Sequence, residues 1–226
     1  MKNELNASGY YCAKIIYEKE LQRILQGIYL CYTMMIKDNI KLSNNENEIR
    51  DKLLIDYLKN NRIRDITGLT GNYIFNREVP EDKSKGRTDI RIETLMSFYE
   101  CEAYYIIECK RLNNKKTRHQ TGLNAHYIKN GIYRFVSNYY STHNGVNAML
   151  GFVVEKTDIN ENISNINYLL QKYFSNCNTI NCLSIQHLIS DFEFLYKSEH
   201  QDKDNKTIRL YHLMLDFSNN ISYDNS

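Results

Sequence analysis

The sequence predicts an α/β fold built around a mixed sheet, and three stretches carry this prediction. Residues 104–110 are rich in aromatic and β-branched side chains, which is typical of a buried strand. Residues 87–93 alternate polar and apolar side chains, which indicates a half-buried strand. Residues 148–155 are apolar almost throughout and follow a predicted helix, so we expect this strand to lie parallel to its neighbour.

Length and composition indicate one globular domain without a strong overall charge. A chain of 226 residues fits a domain of ordinary size, and an apolar content of 42% excludes wholesale disorder. The formal net charge is only +2, so a nucleic-acid site would be a local patch of the surface. We expect a helical arm at 1–42, a core at 43–155, and a helix with a hairpin at 156–226.

The cysteines and the apolar runs favour a cytoplasmic protein that does not enter a membrane. None of the six cysteines stands in a Cys-x-x-Cys pair, so no zinc-site spacing is present. The first nine residues are polar, unlike a secretory signal. The longest apolar run, at about 27–36, is too short to span a bilayer.

Two helical segments precede the predicted strands. Residues 10–37 mix apolar and charged side chains in the pattern of one or two amphipathic helices. Ser43 and Glu46 have the spacing of a capping box at the start of the next helix. The apolar side of this helix consists of Ile49, Leu53, Leu54, Tyr57 and Leu58. Glu46 falls on that side and Glu48 nearly opposite, so we expect Glu46 to face the protein.

The remaining elements follow in a regular order. The predicted segments are a strand at 72–79 ended by Pro80, strands at 87–93 and 104–110, a helix at 120–139, a strand at 148–155, a helix at 159–174 and a hairpin of 192–200 with 208–217. The first three strands are expected to form an antiparallel meander. His200 and His212 lie on the hairpin, but its expected pairing does not place them opposite each other, so a shared metal is not favoured.

The end of the strand at 104–110 carries the residues that first suggest chemistry. Glu108 and Lys110 are two positions apart and point to the same face, while Cys109 points to the other. A carboxylate and an ammonium at the end of an apolar strand are costly to bury without partners or a task. The task that fits is to hold a hard metal ion and act on a phosphate. The alternative is a salt-bridged strand end.

The order of these elements resembles the PD-(D/E)XK nuclease superfamily, whose restriction-endonuclease-like fold has an α-β-β-β-α-β core. Its motif is an acidic residue on one strand of a hairpin and a (D/E)-x-K on the next, often with a glutamate on the first helix. The matching residues are Glu46, Asp89, Glu108 and Lys110. The resemblance covers about residues 43–155, and the N-terminal helices and C-terminal hairpin would be additions. Thr88 stands where the family name implies proline.

The resemblance implies a metal-dependent catalytic site made of Glu46, Asp89, Glu108 and Lys110. Mg²⁺ prefers hard oxygen ligands, and Mn²⁺ is expected to substitute for it. Asp89, Glu108 and the backbone carbonyl of Cys109 would hold the ion, and Glu46 would hold a second ion or its water shell. Lys110 would orient or deprotonate the attacking water, or stabilise charge in the transition state.

These residues lead us to expect a Mg²⁺-dependent deoxyribonuclease, an endonuclease of restriction or phage-defence type. The last part of this expectation rests on fold analogy. One alternative is a nuclease-fold protein that binds nucleic acid or a protein partner without cutting. Another is a nuclease that acts on RNA or on branched or single-stranded DNA.

Basic and aromatic residues near the motif are candidates for contact with DNA. The candidates are Arg87, Arg111, Lys115, Lys116, Arg118, Tyr127 and Arg134, with Lys83 and Lys85 in the same charged rim. Cutting both strands of a duplex needs two active sites or two binding events, so we expect a homodimer. Residues 10–37 and 192–217 are expected to form its interface, because they remain after the predicted core is built.

Overall fold

Seven strands form one mixed sheet within residues 7–81 and 86–222, the part of the chain that the computed structural model describes. The strands are β1 (Tyr73–Arg77), β2 (Ile90–Thr94), β3 (Tyr104–Leu112), β4 (Val146–Val153), β5 (Thr179–Ile185), β6 (Leu195–Gln201) and β7 (Thr207–Asp216). Their order in the sheet is β1-β2-β3-β4-β7-β6-β5. The pairs β3–β4 and β4–β7 are parallel and the others antiparallel.

Helices cover both faces of this sheet. They are α1 (Ala7–Lys37), α2 (Glu46–Asp51) continued by a π-helical turn (Lys52–Leu58), α3 (Asn61–Thr67), α4 (Leu123–Tyr127), a second π-helical turn (Ile128–Ile132), α5 (Tyr133–Val136) and α6 (Ile159–Tyr173). The first core cluster joins α1 and α2 to one face of the sheet, and the second joins α4, α5 and α6 to the other. The predicted α/β class with a mixed sheet is confirmed. No helix in the described ranges is long and apolar enough to cross a membrane.

The period of two along β3 decides which side chains reach the site. Tyr105, Ile107 and Cys109 belong to the core cluster under α1 and α2. Tyr104 and Ile106 belong to the opposite cluster, and Glu108 and Lys110 follow them on that face. The prediction that Glu108 and Lys110 share a face is therefore confirmed, as are the antiparallel meander of β1 to β3 and the parallel pairing of β4.

The helix that supplies Glu46 begins differently from the prediction. Asn45, not Ser43, is its N-cap, and its side chain accepts hydrogen bonds from the backbone N–H of Asn47 (3.0 Å) and of Glu48 (3.4 Å). The Ser43 hydroxyl instead donates to the Glu48 carboxylate. The predicted capping box is thus wrong. Asn45 lies directly before Glu46, the first residue of the helix, so its side chain takes the capping position. Glu46 is left free to reach β3.

Two segments nominated as a dimer interface lie in the core instead. Leu21, Ile24, Leu25 and Ile28 of α1 are fully buried against the sheet. The strand β7 of the predicted hairpin pairs with β4 in the middle of the sheet. Assigning these segments to an interface was wrong, because the sheet is wider than the four strands expected for the core. The edge strand β5 was not predicted at all.

Candidate active site

Three elements meet where β2 begins and β3 approaches its end. Antiparallel pairing of Ile90 with Ile107 places Asp89 beside Glu108. Asp89 Oδ2 accepts the backbone N–H of Cys109 at 2.8 Å, which fixes the carboxylate against β3. Glu46, the first residue of α2, accepts the backbone N–H of Arg111 at 2.9 Å through Oε2. The structure therefore brings the predicted residues together.

The ammonium of Lys110 lies at the centre of this arrangement. Its Nζ is 2.8 Å from Glu108 Oε1, 3.0 Å from Glu46 Oε1 and 3.7 Å from Asp89 Oδ2. It also donates to the carbonyl oxygen of Cys109 at 2.5 Å. Burial lowers the pKa of Lys110, but the three carboxylates outweigh burial and leave that pKa above its ordinary value. The ammonium is therefore charged at neutral pH.

Glu108 is fully buried, and its carboxylate is held from three directions. Besides Lys110, Arg134 Nη1 donates to Oε1 at 2.6 Å and the Tyr140 hydroxyl donates to Oε2. Arg134 also donates to the Tyr140 hydroxyl at 3.0 Å. Burial and the neighbouring Asp89 raise the pKa of Glu108 to about 7, against the opposing effect of the two cations. The two cations therefore offset only part of the effect of burying this carboxylate.

Arg50 is a site residue that was not predicted. Its side chain is only 2% exposed, and it contacts Asp89 Oδ1 at 3.1 Å, Glu78 Oε1 at 3.0 Å and Asp51 Oδ1 at 2.8 Å. It joins α2 to the start of β2, so it positions Asp89. A signal for this role was present, because Arg50 falls on the apolar side of the predicted helix, where a charged residue needs partners. Tyr140 was also missed, and no comparable pattern marks it.

The oxygen atoms around Lys110 fit a hard cation in chemistry. Glu46, Glu108 and the Cys109 carbonyl converge on one positive charge, and Asp89 lies slightly further away. Carboxylate and carbonyl oxygens are the ligands that Mg²⁺ prefers. Within the described residues, however, no three His, Cys, Asp or Glu side chains are already arranged as a metal site. The carboxylates are arranged around the ammonium.

The basic candidates for nucleic-acid contact are spread along the rim of the site. Arg87 is 62% exposed and pairs with Glu78 at 3.1 Å, and Lys115 is 71% exposed and pairs with Glu155 at 2.7 Å. Lys116 is exposed on the same loop as Lys115.

The other two rim candidates are held by neighbouring side chains or backbone. Arg111 donates to the Asn44 carbonyl at 2.5 Å. Arg118 donates to Asn165 at 2.6 Å, and its guanidinium lies over the ring of Tyr168. Lys83 and Lys85 lie outside the described residues.

The last two candidates for nucleic-acid contact, Tyr127 and Arg134, lie in the helical segment 123–136 and point to different places. Arg134 faces the site through its contact with Glu108. Tyr127 is fully buried, and its hydroxyl is 2.8 Å from His212 Nδ1 beneath the sheet. The nomination of Tyr127 for nucleic-acid contact is therefore wrong, because the helix turns that side chain into the second core cluster.

Comparisons with known proteins do not assign this chain to a family, so its function is inferred from the geometry of the site. Searches against protein-family models, curated proteins and solved structures gave no match to this chain.

Proposed function

We propose that this chain is a Mg²⁺-dependent DNA nuclease with a site of the PD-(D/E)XK type, an endonuclease of restriction or phage-defence type. One observation carries the proposal: carboxylates from α2, the start of β2 and β3 converge with a backbone carbonyl on the ammonium of Lys110. The order of a helix, three antiparallel strands, a helix and a parallel strand supports a restriction-endonuclease-like core at about 43–155. We propose a cytoplasmic protein that cuts DNA.

The residues that would hold Mg²⁺, or Mn²⁺ in its place, are Asp89, Glu108, Glu46 and the carbonyl of Cys109. When bound, such an ion polarises a phosphate and lowers the pKa of a coordinated water. Lys110 contributes a fixed positive charge that would stabilise the extra negative charge of the transition state. Arg50 keeps Asp89 in place, and Tyr140 keeps Glu108 in place.

A cleavage assay tests the proposal. Duplex, single-stranded and branched DNA, and RNA, are incubated with Mg²⁺, with Mn²⁺ and with a chelator. We expect cutting of DNA that requires the metal and is abolished in Glu108→Gln. Glu155→Gln is the matched control, because Glu155 pairs with the exposed Lys115 rather than with Lys110. Cutting of RNA alone would change the substrate class, and cutting that survives in Glu108→Gln would contradict the proposal.

A second candidate is a protein that binds nucleic acid or a protein partner without cutting. The observation that favours it is the mutual pairing of charges: Glu46, Asp89 and Glu108 each contact a cation of the chain itself. A carboxylate group satisfied in this way is stable without a bound metal ion. Binding of DNA with no cutting of any substrate under any metal would favour this candidate over the nuclease.

A symmetric dimer belongs to the proposal, although not through the segments first nominated. The connection between β2 and β3 exposes large apolar side chains, which mark interaction surfaces when they are contiguous. They are Leu95, Met96, Phe98 and Tyr99, of which the last two are 78% and 89% exposed. We propose this segment, rather than α1 or the hairpin, as the place where two copies meet.

A further inference from the structure

The atom Glu108 Oε1 is shared by two cations. Lys110 Nζ lies 2.8 Å from it and Arg134 Nη1 lies 2.6 Å from it. A carboxylate oxygen has two lone pairs, so these two donors use its capacity. Oε1 is also the oxygen of Glu108 that faces the point where Glu46 and the Cys109 carbonyl converge. Lys110 Nζ holds that point in the metal-free protein, so a divalent ion that binds Oε1 beside Lys110 needs Arg134 to leave that oxygen.

The charges of the inner site lead to the same requirement. The carboxylates of Glu46, Asp89 and Glu108 contact the cations of Arg50, Lys110 and Arg134. Arg50 also contacts Glu78 and Asp51, which pair in addition with Arg87 and Arg77, so five carboxylates are matched by five cations. A divalent ion would add two positive charges to a group that is already balanced and largely buried. Like charges at such short separations repel strongly where water is excluded. Release of one side-chain cation to the solvent side relieves this repulsion.

Arg134 is the most exposed of the three cations and the one with the fewest carboxylate partners. The side chain of Arg50 is 2% exposed and contacts three carboxylates. The side chain of Lys110 is 10% exposed and has four oxygens around it. The side chain of Arg134 is 33% exposed, and Glu108 is the carboxylate that it contacts. Its guanidinium lies 5.2 Å from the ring centre of Tyr139. The face of this ring attracts a cation and can hold the guanidinium when it turns toward solvent.

We propose that Arg134 is a metal-responsive phosphate ligand. It pairs with Glu108 in the metal-free protein and, when a divalent cation binds, moves its guanidinium to a backbone phosphate of the nucleic acid. This inference rests on the proposed function. The chemistry fits, because the planar guanidinium forms two parallel hydrogen bonds to carboxylate and phosphate groups alike. Arg134 then acts as a binding residue, and Glu108 is released to the metal.

The proposal predicts a coupling between metal and DNA. Metal binding frees Arg134 for phosphate, so DNA binds more tightly when metal is present, and by thermodynamic reciprocity metal binds more tightly when DNA is present. Arg134→Gln removes the competing cation from Glu108. It should therefore tighten metal binding without DNA by at least about fivefold, and reduce the enhancement of DNA binding by metal by at least about fivefold. Arg134→Lys keeps the charge and should restore part of the coupling.

The test uses the full chain and two binding measurements. Calorimetric titration with Ca²⁺, a cation with the same preference for oxygen ligands, gives metal affinity without DNA. Fluorescence anisotropy of a labelled random-sequence duplex, with and without Ca²⁺, gives the enhancement of DNA binding, and a gel verifies that the duplex stays intact. Arg87→Gln is the matched control, because Arg87 is on the rim and pairs with Glu78. It should weaken DNA binding and leave metal affinity and the enhancement unchanged.

The outcomes separate this inference from the proposed function. Tighter Ca²⁺ binding with a smaller enhancement in Arg134→Gln, and neither change in Arg87→Gln, supports the role of Arg134. If the wild type binds Ca²⁺ and DNA but Arg134→Gln matches it in metal affinity and enhancement, the inference is overturned and the proposed function stands. If the folded wild type binds neither Ca²⁺ nor DNA, both fall together.

Discussion

Glu108 shows at the level of single residues how a buried carboxylate is kept in place. The side chain has no solvent access, and an unpaired charge there would cost several kcal/mol. Lys110, Arg134 and Tyr140 supply donors to both of its oxygens. The site is therefore both a salt-bridged strand end and a candidate catalytic centre, so the two interpretations of the sequence describe the same atoms.

Removal of the Tyr140 hydroxyl should reveal this dependence. Tyr140→Phe leaves Glu108 Oε2 without its donor in a buried position, so we expect the free energy of unfolding to fall by about 1–3 kcal/mol. Tyr133→Phe is the matched control on the preceding helix α5, because the contacts of Glu108 are with Lys110, Arg134 and Tyr140. Urea denaturation measures both. Equal stability of the two variants would show that the hydroxyl does not hold Glu108.

Two glutamates of α2 should differ sharply in their effect on cutting. Glu46 contacts Lys110 Nζ and the backbone N–H of Arg111, whereas Glu48 is exposed and contacts Ser43. We expect Glu46→Gln to lower the cleavage rate at least about a hundredfold, the low end for a group that acts directly in catalysis. Glu48→Gln should leave that rate near the wild-type value. Single-turnover cleavage compares them, and the reverse ranking would contradict the geometry of the site.

Among the elements, the two helices that supply site residues share an uncommon feature. The helix that begins at Glu46 passes into a π-helical turn at Lys52–Leu58, and the one that supplies Arg134 contains another at Ile128–Ile132. Such turns are rare and occur often at functional sites, because the extra residue redirects the side chains that follow. In the second case the turn contains Gly131, which lies close to the aliphatic part of Lys110. The helical segment 123–136 therefore packs against the side chain of Lys110 through this turn.

The strands β6 and β7 carry a buried pair of histidines. The antiparallel pairing places His200 opposite Ile208 and His212 opposite Tyr196. As predicted, the two histidines are not opposite each other. The Ser198 hydroxyl lies 2.8 Å from Nε2 of each ring and links them. Burial lowers the pKa of His200 to about 4 and, with the proximity of His200, holds that of His212 well below its usual value.

The buried histidines His200 and His212 should lower the free energy of unfolding at acidic pH. The unfolded chain takes up a proton at His200 below about pH 6.5, whereas the folded protein takes it up only near pH 4. The contribution of His200 to stability should thus be complete above pH 6.5 and fall between pH 6.5 and 4, by about 2 kcal/mol at pH 5. Urea denaturation across this range measures the slope. His200→Gln should flatten the slope and the exposed His187→Gln should not; an unchanged slope in His200→Gln would contradict this assignment.

For the whole molecule, the proposed dimer depends on the apolar segment between β2 and β3. Replacing Phe98 and Tyr99 together by serine removes the two most exposed aromatic side chains of that segment. We expect light scattering to give the mass of two chains for the wild type and of one chain for the double variant. Ile55→Ser is the control, because Ile55 is an exposed apolar residue on the π-helical turn that continues α2. A monomeric wild type at working concentration would contradict the dimer.

Much of the candidate site was predictable because local periodicity governs it. The period of two along β3 brings Glu108 and Lys110 to one face, and the period of the helix selects Glu46 over Glu48. Tyr140 was not predictable, because it lies in the connection after a helix, where no periodicity applies. Glu46, Asp89, Glu108 and Lys110 could be nominated from sequence, whereas the contact of Arg50 with Asp89 was not predicted.

The width of the sheet was not predictable in the same way. The edge strand β5 buries little besides Leu183, so its sequence lacks the alternation that identifies a half-buried strand. The position of β7 beside β4 is a long-range pairing, and the local pattern indicated only a hairpin. Without that wider sheet, α1 had no surface to cover and was assigned to an interface.

The central claim is that Asp89, Glu108 and Glu46 form a metal site with Lys110 as the resident cation. Calorimetric titration with Mn²⁺ tests it most directly, on folded wild type, Asp89→Asn and Lys110→Met, with Asp51→Asn as the control for loss of a partner of Arg50. We predict weaker Mn²⁺ binding in Asp89→Asn, unchanged binding in Asp51→Asn, and equal or tighter binding in Lys110→Met, because a nearby repelling charge is gone. Unchanged Mn²⁺ affinity in both Asp89→Asn and Lys110→Met would contradict the metal site and leave a salt-bridged strand end.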